Sequence, residues 1–439
     1  MDGRRCSGRV GRPRPCGGRT DGAAGGALSR RGRLSVNPPA GGAVSPLIPA
    51  LLIAASSASV LSTDLYAPSL PHLPAILSTD ATTVTLTMSL NLASFSLAQL
   101  LHGPLADRFG RRPVFLWGMA AFVLTAIAAA SAQSIEQLIA ARILMGIAAS
   151  VEAVIALAVI RDLYDEAGAV RILAIYGMTI AIAPAVGPVI GGFVFVWAGW
   201  RANFFLLAGV VLLVFALAAR WLPETAAQID YGALRLRRMA GGYASLFANR
   251  TYMAYALALS FGLAGVFAFI TAGPFVFIDG HGVATQYYGF FQMAIVAAFF
   301  VGTMIASRAV GRIDARRICA LGVALSLAGG LALIPVVALA ESPWLITAAA
   351  SLFAAGLGPL FAAAPVLAMG AAPASGGGVS AALIGSLEMA GGALGALGVG
   401  ILPDAGAWPL AGVMAASSVL ILLAYLAAGG SGQPVRRRS

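Results

Sequence analysis

The chain has 439 residues, of which 59% are hydrophobic and 10% charged. Soluble domains carry about 25% charge, so this composition argues against a water-soluble enzyme and for an integral membrane protein. All 28 basic residues are arginine, which removes every lysine-dependent motif, including the phosphate-binding loop of nucleotide hydrolases; the net charge of +11 is concentrated at the start, where residues 1–33 hold nine arginines and two aspartates.

That start, residues 1–44, is rich in Arg, Gly and Pro, has little that can form a core, and reads as a disordered tail. No apolar run follows at the distance a secretory signal requires. The basic residues sit in this tail and in short loops, not on a folded surface, so nucleic acid is not an expected partner. Twelve apolar runs follow, each near the roughly 20 residues that cross a bilayer. They lie near 46–68, 84–104, 113–131, 135–160, 171–197, 201–222, 251–275, 287–308, 316–340, 343–370, 376–401 and 407–428. A polar segment, 223–250, separates two halves, 45–222 and 251–428, of 178 residues each, and 429–439 is a basic tail. Arginines follow the even-numbered spans: Arg108, Arg111 and Arg112; Arg161 and Arg171; Arg235, Arg237 and Arg238; Arg308, Arg312, Arg316 and Arg317. The opposite loops carry Asp80, Glu136, Asp279, Glu341 and Asp404, with Arg201 as their base. The positive-inside rule then places both termini in the cytoplasm. A weak repeat relates the halves, with Arg108 and Arg312 separated by 204 residues. The expectation is an all-α membrane fold of two six-helix bundles related by a parallel repeat.

The densest polar cluster between spans is Gly103-Pro-Leu-Ala-Asp-Arg-Phe-Gly-Arg-Arg-Pro113. Gly103 and Gly110 permit tight turns, and Pro113 suits the start of the next helix. Asp107 is placed to reach the start of the eleventh span near Gly376-Gly-Gly-Val-Ser380, where free N–H groups and a positive dipole end attract an anion. With Arg161 or Arg112 it would latch the halves when the cytoplasmic side is closed; the plainer reading is that it neutralises nearby arginines. Inside the spans, Asp64 lies near the outer end of the first and Arg142 lies about 10 Å deep in the fourth. An unpaired charge at mid-bilayer costs at least about 2.5–3.5 kcal/mol. An Asp64–Arg142 pair is therefore expected, ahead of Arg142 bonding carbonyls alone. Glu152 sits among Val151, Ala153 and Val154. Apolar surroundings favour a neutral carboxyl, which suits a proton carrier or a counter-charge for a cationic substrate, against a permanently protonated packing residue. Glu388 in the eleventh span is a similar, lower-ranked case. Asn91, Gln99, Phe267, Phe269 and Phe361 are cavity candidates, although such residues more often pack. Three cysteines and three histidines, far apart, offer no disulfide framework, metal site or cofactor site.

The fifth span contains Pro184, Gly187, Pro188, Gly191 and Gly192. Small residues four apart let a neighbour approach and prolines kink a helix, so physics alone reads a packing and hinge element. The 103–113 cluster resembles the signature loop between the second and third helices of the major facilitator superfamily. The fifth span is similar to the fifth-helix motif of that superfamily's antiporters. Asp64-Leu-Tyr-Ala-Pro68, Ile160-Arg-Asp-Leu-Tyr164, Trp200-Arg201, Leu222-Pro-Glu-Thr225 and Ala272-Gly-Pro-Phe275 occur in an order that resembles the Bcr/CflA, or bicyclomycin-resistance-like, drug:proton antiporters, from about residue 45 onward. The resemblance implies a monomeric exporter of small amphipathic drugs from the bacterial cytoplasm across the inner membrane, driven by protons. Asp64, Arg142 and Glu152 would couple protons, and Gly103, Asp107, Arg108, Gly110, Arg111, Arg112 and Arg161 would gate. A metabolite transporter, working as a proton symporter or as an exporter, is the alternative. A membrane-embedded enzyme is disfavoured because the spans hold no catalytic pair of convincing spacing.

Overall fold

The structure, a computed structural model, describes residues 45–226, 229–372, 377–402 and 406–429. The expectations for residues 1–44, for 430–439 and for Gly376 lie outside the described residues. Among the described residues, twelve helices are long and apolar enough to cross a membrane. They are α1 Leu47–Asp64, α2 Ala81–Phe109, α3 Arg111–Ser131, α4 Ile135–Leu163, α5 Glu166–Ala198, α6 Trp200–Trp221, α7 Arg250–Pro274, α8 Thr285–Ala309, α9 Ala315–Leu339, α10 Pro343–Ala371, α11 Gly377–Ile401 and α12 Trp408–Gly429. A shorter helix, Leu236–Phe247, lies between the halves.

Local chemistry sets where these helices begin. Asp80 accepts from the Thr83 amide at 2.7 Å, and that bond holds its carboxyl below the usual value. Ser134, Asp165, Asn249 and Asp314 likewise cap α4, α5, α7 and α9, each satisfying an orphan N–H of the first turn. Most of the 103–113 cluster is not a loop. Gly103 to Phe109 forms the last two turns of α2, and Gly110 alone makes the turn, at φ +96°. The tight turn expected at Gly103 is absent; that glycine lies in the helix, beside Val154 of α4. Pro113 is the third residue of α3 and not its first, a position that still needs no intrahelical donor.

The packing repeats between halves. In the first, α1 lies against α4, α5 and α6, while α2 meets α4, and α3 meets α4 and α6. In the second, α7 lies against α10, α11 and α12, while α8 meets α10, and α9 meets α10 and α12. Each half has its own apolar core, one centred on residues such as Phe115, Phe122 and Phe204 and the other on Phe277, Phe353 and Leu360. Two further contacts, α2 with α11 and α5 with α8, join the halves and are related by the same repeat.

Candidate functional site

The seam between α5 and α8 is made by the proline–glycine row. A side chain at Gly191 would strike the Leu65 carbonyl, and one at Gly187 would come within 2.7 Å of Asp64 Cβ, so α5 lies directly on the end of α1. Gly192 faces the Thr285 carbonyl, and Gly289 of α8 faces Pro188 and Val189. Pro188 has no N–H to give to the carbonyl four residues back. The Pro184 carbonyl is thereby left free within the helix, and it accepts from Gln292 Nε2 at 3.2 Å. The same Nε2 donates to Asp64 Oδ1 at 3.0 Å, and Tyr288 O–H donates to Gln292 Oε1 at 3.1 Å. Asp64, which is 3% exposed, is thus bonded to the opposite half through a neutral amide. Nearby, His72 and Thr285 bridge the halves at 2.9 Å, with the His72 ring stacked on Phe195. Gln292, Tyr288, His72 and Thr285 were not singled out in the sequence, where a neutral residue in an apolar run carries no local signal.

The expected Asp64–Arg142 ion pair is not formed. Arg142 is fully buried and donates from Nη1 to the Ser62 carbonyl at 2.8 Å, with the Met145 and Met88 sulfurs at 3.6 and 3.5 Å. Its guanidinium lies over the Tyr66 and Phe204 rings at 5.1 and 5.9 Å. The carbonyl is available because α1 ends at Asp64, which frees acceptors in its last turn. Aromatic faces add cation–π attraction that strengthens on desolvation. In this conformation the partners are one carbonyl, two sulfurs and two rings, neither the acid nor carbonyls alone. Asn91, offered as a cavity residue, instead braces this site by donating to the Arg142 carbonyl at 2.7 Å.

Glu152 is completely buried, and neither carboxylate oxygen has a hydrogen-bond partner among the described residues. It lies within electrostatic reach of Tyr176 of α5, whose hydroxyl donates to Ser56 of α1 at 3.0 Å. Glu388 lies within reach of Tyr252 in the second half.

At the arginine-rich face three sequence motifs meet. Glu224 accepts from the backbone N–H groups of Arg111, Arg112, Thr225 and Ala226 at 2.9–3.2 Å, capping α3 from the far end of its bundle. Arg111 pairs with Asp162 at 2.8 Å, Arg112 donates to the Ala219 carbonyl, and Arg108 lies 4.5 Å over the Tyr231 ring. In this conformation Arg111 and Arg112 make these contacts, and among the described residues no ion pair joins Asp107 to Arg161 or Arg112. Asp162 and Glu224 were visible only as members of their motifs.

Asp107 faces a cavity of about 510 Å³ bounded by Gly103, Arg111, Arg161 and Asp162 on one half and by Gly378, Val379 and Ala382 of α11 on the other. No bridge from Asp107 to α11 is made in this conformation: the halves are apart here and joined at the opposite face. Gln99 lines the cavity. Asn91, Phe267, Phe269 and Phe361 do not; Phe269 packs on Phe277, Phe361 on Phe299, and Phe267 against Gly392. Among the described residues no cluster of His, Cys, Asp or Glu could hold a metal.

Residues 52–396 match the family described as Major Facilitator Superfamily. The chain belongs to that superfamily. Its members are transporters and not enzymes. Two similar proteins place it with the bicyclomycin-resistance-like branch. One is the bicyclomycin resistance protein homolog of Haemophilus influenzae, 29% identical, with 82% of this chain and 91% of that protein aligned. The other is the multidrug transporter MdfA of Yersinia pestis bv. Antiqua, 32% identical, with 77% and 82% aligned. Among solved structures, the xylose transporter XylE from E. coli in a partially occluded inward open conformation superposes with a TM-score of 0.68 at 12% identity, covering 89% of this chain and 98% of that one. A peptide transporter bound to sulfate gives 0.71 at 14% identity, covering 87% and 94%. These two superpositions establish the major facilitator fold.

Proposed function

We propose that this transporter exports small amphipathic drugs from the bacterial cytoplasm in exchange for protons. The observation that carries the reading is Asp64, sealed between the halves with one neutral donor. Burying an ionised carboxylate with so little compensation is costly. Closing the outer face and protonating Asp64 therefore favour one another. A proton taken from outside lets the outer seam close; its loss to the inside leaves a buried charge that favours reopening outward with drug aboard. Glu152 acts as a second proton site, and its unpartnered carboxyl is available to a cationic substrate. The 510 Å³ cavity is the drug's entrance, with Gln99 a contact there. Asp107 latches onto α11 once the cytoplasmic side closes. The bundles, 45–222 and 251–428, rock about this seam, joined by 223–250. The protein is a monomer of the inner membrane with both termini cytoplasmic, on the arginine side.

Expression in an efflux-deficient bacterium, followed by a broad drug panel, tests this. Raised tolerance to several amphipathic drugs, lost in Asp64→Asn, is expected. No change for any drug, from protein shown to be inserted, would overturn it.

A further inference from the structure

A second cavity, of about 320 Å³, opens on the outer flank of the first bundle and takes no part in the transport cycle above. Its walls come from α2, α3 and α4, including Phe109, Val114, Trp117, Thr125, Leu144 and Ile147. Trp117 is 60% exposed and Leu144 56%, so the groove faces outward and not into the bundle. Along α3 it runs from Val114 to Thr125, about 16 Å at 1.5 Å per residue. That is about half of a hydrocarbon core of roughly 30 Å, or one leaflet. The walls are almost wholly apolar; the imidazole of His102 at the floor is tied through Nδ1 to Ser150 at 2.9 Å.

The mouth of the groove is basic. Phe109 forms its rim, and the Arg108 guanidinium lies 5.7 Å over the Phe109 ring. Phe109 in turn packs edge-on against Trp117 at 6.0 Å. Arg111 and Arg112, at the start of α3, are turned away to Asp162 and to the Ala219 carbonyl, so Arg108 is the basic group at the mouth. A one-leaflet apolar slot with an arginine at its headgroup end matches a two-part ligand: an acyl chain below and an anion above. We propose that this groove is a binding site for an anionic phospholipid of the leaflet on the arginine side, one acyl chain lying along α3 and its phosphate at Arg108. Arg108 lies in the last turn of α2, next in the chain to Asp107 of the proposed gate, so lipid charge would reach the gate through it.

Brominated lipids quench tryptophan on contact, and Trp117 is the reporter. A variant that retains Trp117 alone among the six tryptophans is reconstituted in phosphatidylcholine nanodiscs containing brominated phosphatidylglycerol or brominated phosphatidylcholine. A second variant retains only Trp344, which is 73% exposed on the other bundle. Basic residues near a membrane surface contribute about 1 kcal/mol each toward anionic lipid, so about fivefold preference for phosphatidylglycerol is expected at Trp117 and none at Trp344. Arg108→Gln should abolish the preference, and Ala121→Phe, which fills the groove, should do the same by an independent route. Equal quenching by both lipids at Trp117, equal preference at Trp117 and Trp344, or a preference that survives both substitutions would overturn the proposal.

Discussion

Gln292 of α8 reaches across the molecule to Asp64 of α1, donating to its carboxylate at 3.0 Å while also donating to the carbonyl that Pro188 leaves free in α5. One amide thus ties the titratable residue, the proline motif and the opposite half together. Replacing it tests whether this bond holds the outer face shut. Leaving a buried acid without its donor costs about 1–3 kcal/mol. Gln292→Leu should therefore shift the population toward the outward-open form by about tenfold. In a background without native cysteines, Thr285→Cys should react correspondingly faster with a membrane-impermeant maleimide applied from the outer side. Asp64→Asn, which resembles the protonated acid, should slow that reaction. Equal rates in all three proteins would remove Gln292 from the account.

Arg142 is held by a carbonyl, two sulfurs and two rings, and not by Asp64. Residues with no shared contact add their effects within about 0.3–0.5 kcal/mol. A double-mutant cycle of Arg142→Met and Asp64→Asn, read by thermal unfolding in detergent, should show coupling no larger than that. Each single substitution should still impair drug export. Coupling above about 1.5 kcal/mol, well beyond that additivity range, would restore the ion pair.

Part of this architecture was legible from the sequence. The twelve spans were, because hydropathy is a local property of each helix. The partners were not legible. A buried charge points to an acid, but the end of α1 supplies Arg142 with a carbonyl at the right depth, and only the packing of α1 on α4 reveals it. Gln292 lies 228 positions from Asp64, and nothing in an uncharged run marks such a contact. Glu224 stands in Leu222-Pro-Glu-Thr225, but its work is done at α3, over one hundred positions away.

That work can be measured. Glu224→Ala removes the acceptor of two N–H groups in the first turn of α3, and loss of such a cap costs about 0.5–2 kcal/mol. Gly110→Ala should destabilise by a similar or larger amount, since its backbone is left-handed and a Cβ there would sit 2.5 Å from Glu224 Oε2. Because both act on one contact, the pair should cost less than the sum of the singles. Strict additivity in thermal unfolding would separate the turn from the cap.

Glu152→Gln keeps the shape of the buried side chain and removes its ability to release a proton. Binding of at least some substrates should persist, and proton-driven export should fail. Export that retains the wild-type pH dependence would eliminate Glu152 as a coupling site.

Direction and driving force decide the central claim. The purified transporter is reconstituted in liposomes with the arginine side outward, and an inwardly acid pH gradient is imposed in the presence of a fluorescent amphipathic drug. Accumulation of drug inside, with proton efflux from the lumen, abolished when the gradient is collapsed and in Asp64→Asn, is the predicted result. Drug movement in the same direction as protons, or uptake indifferent to the gradient, would contradict it.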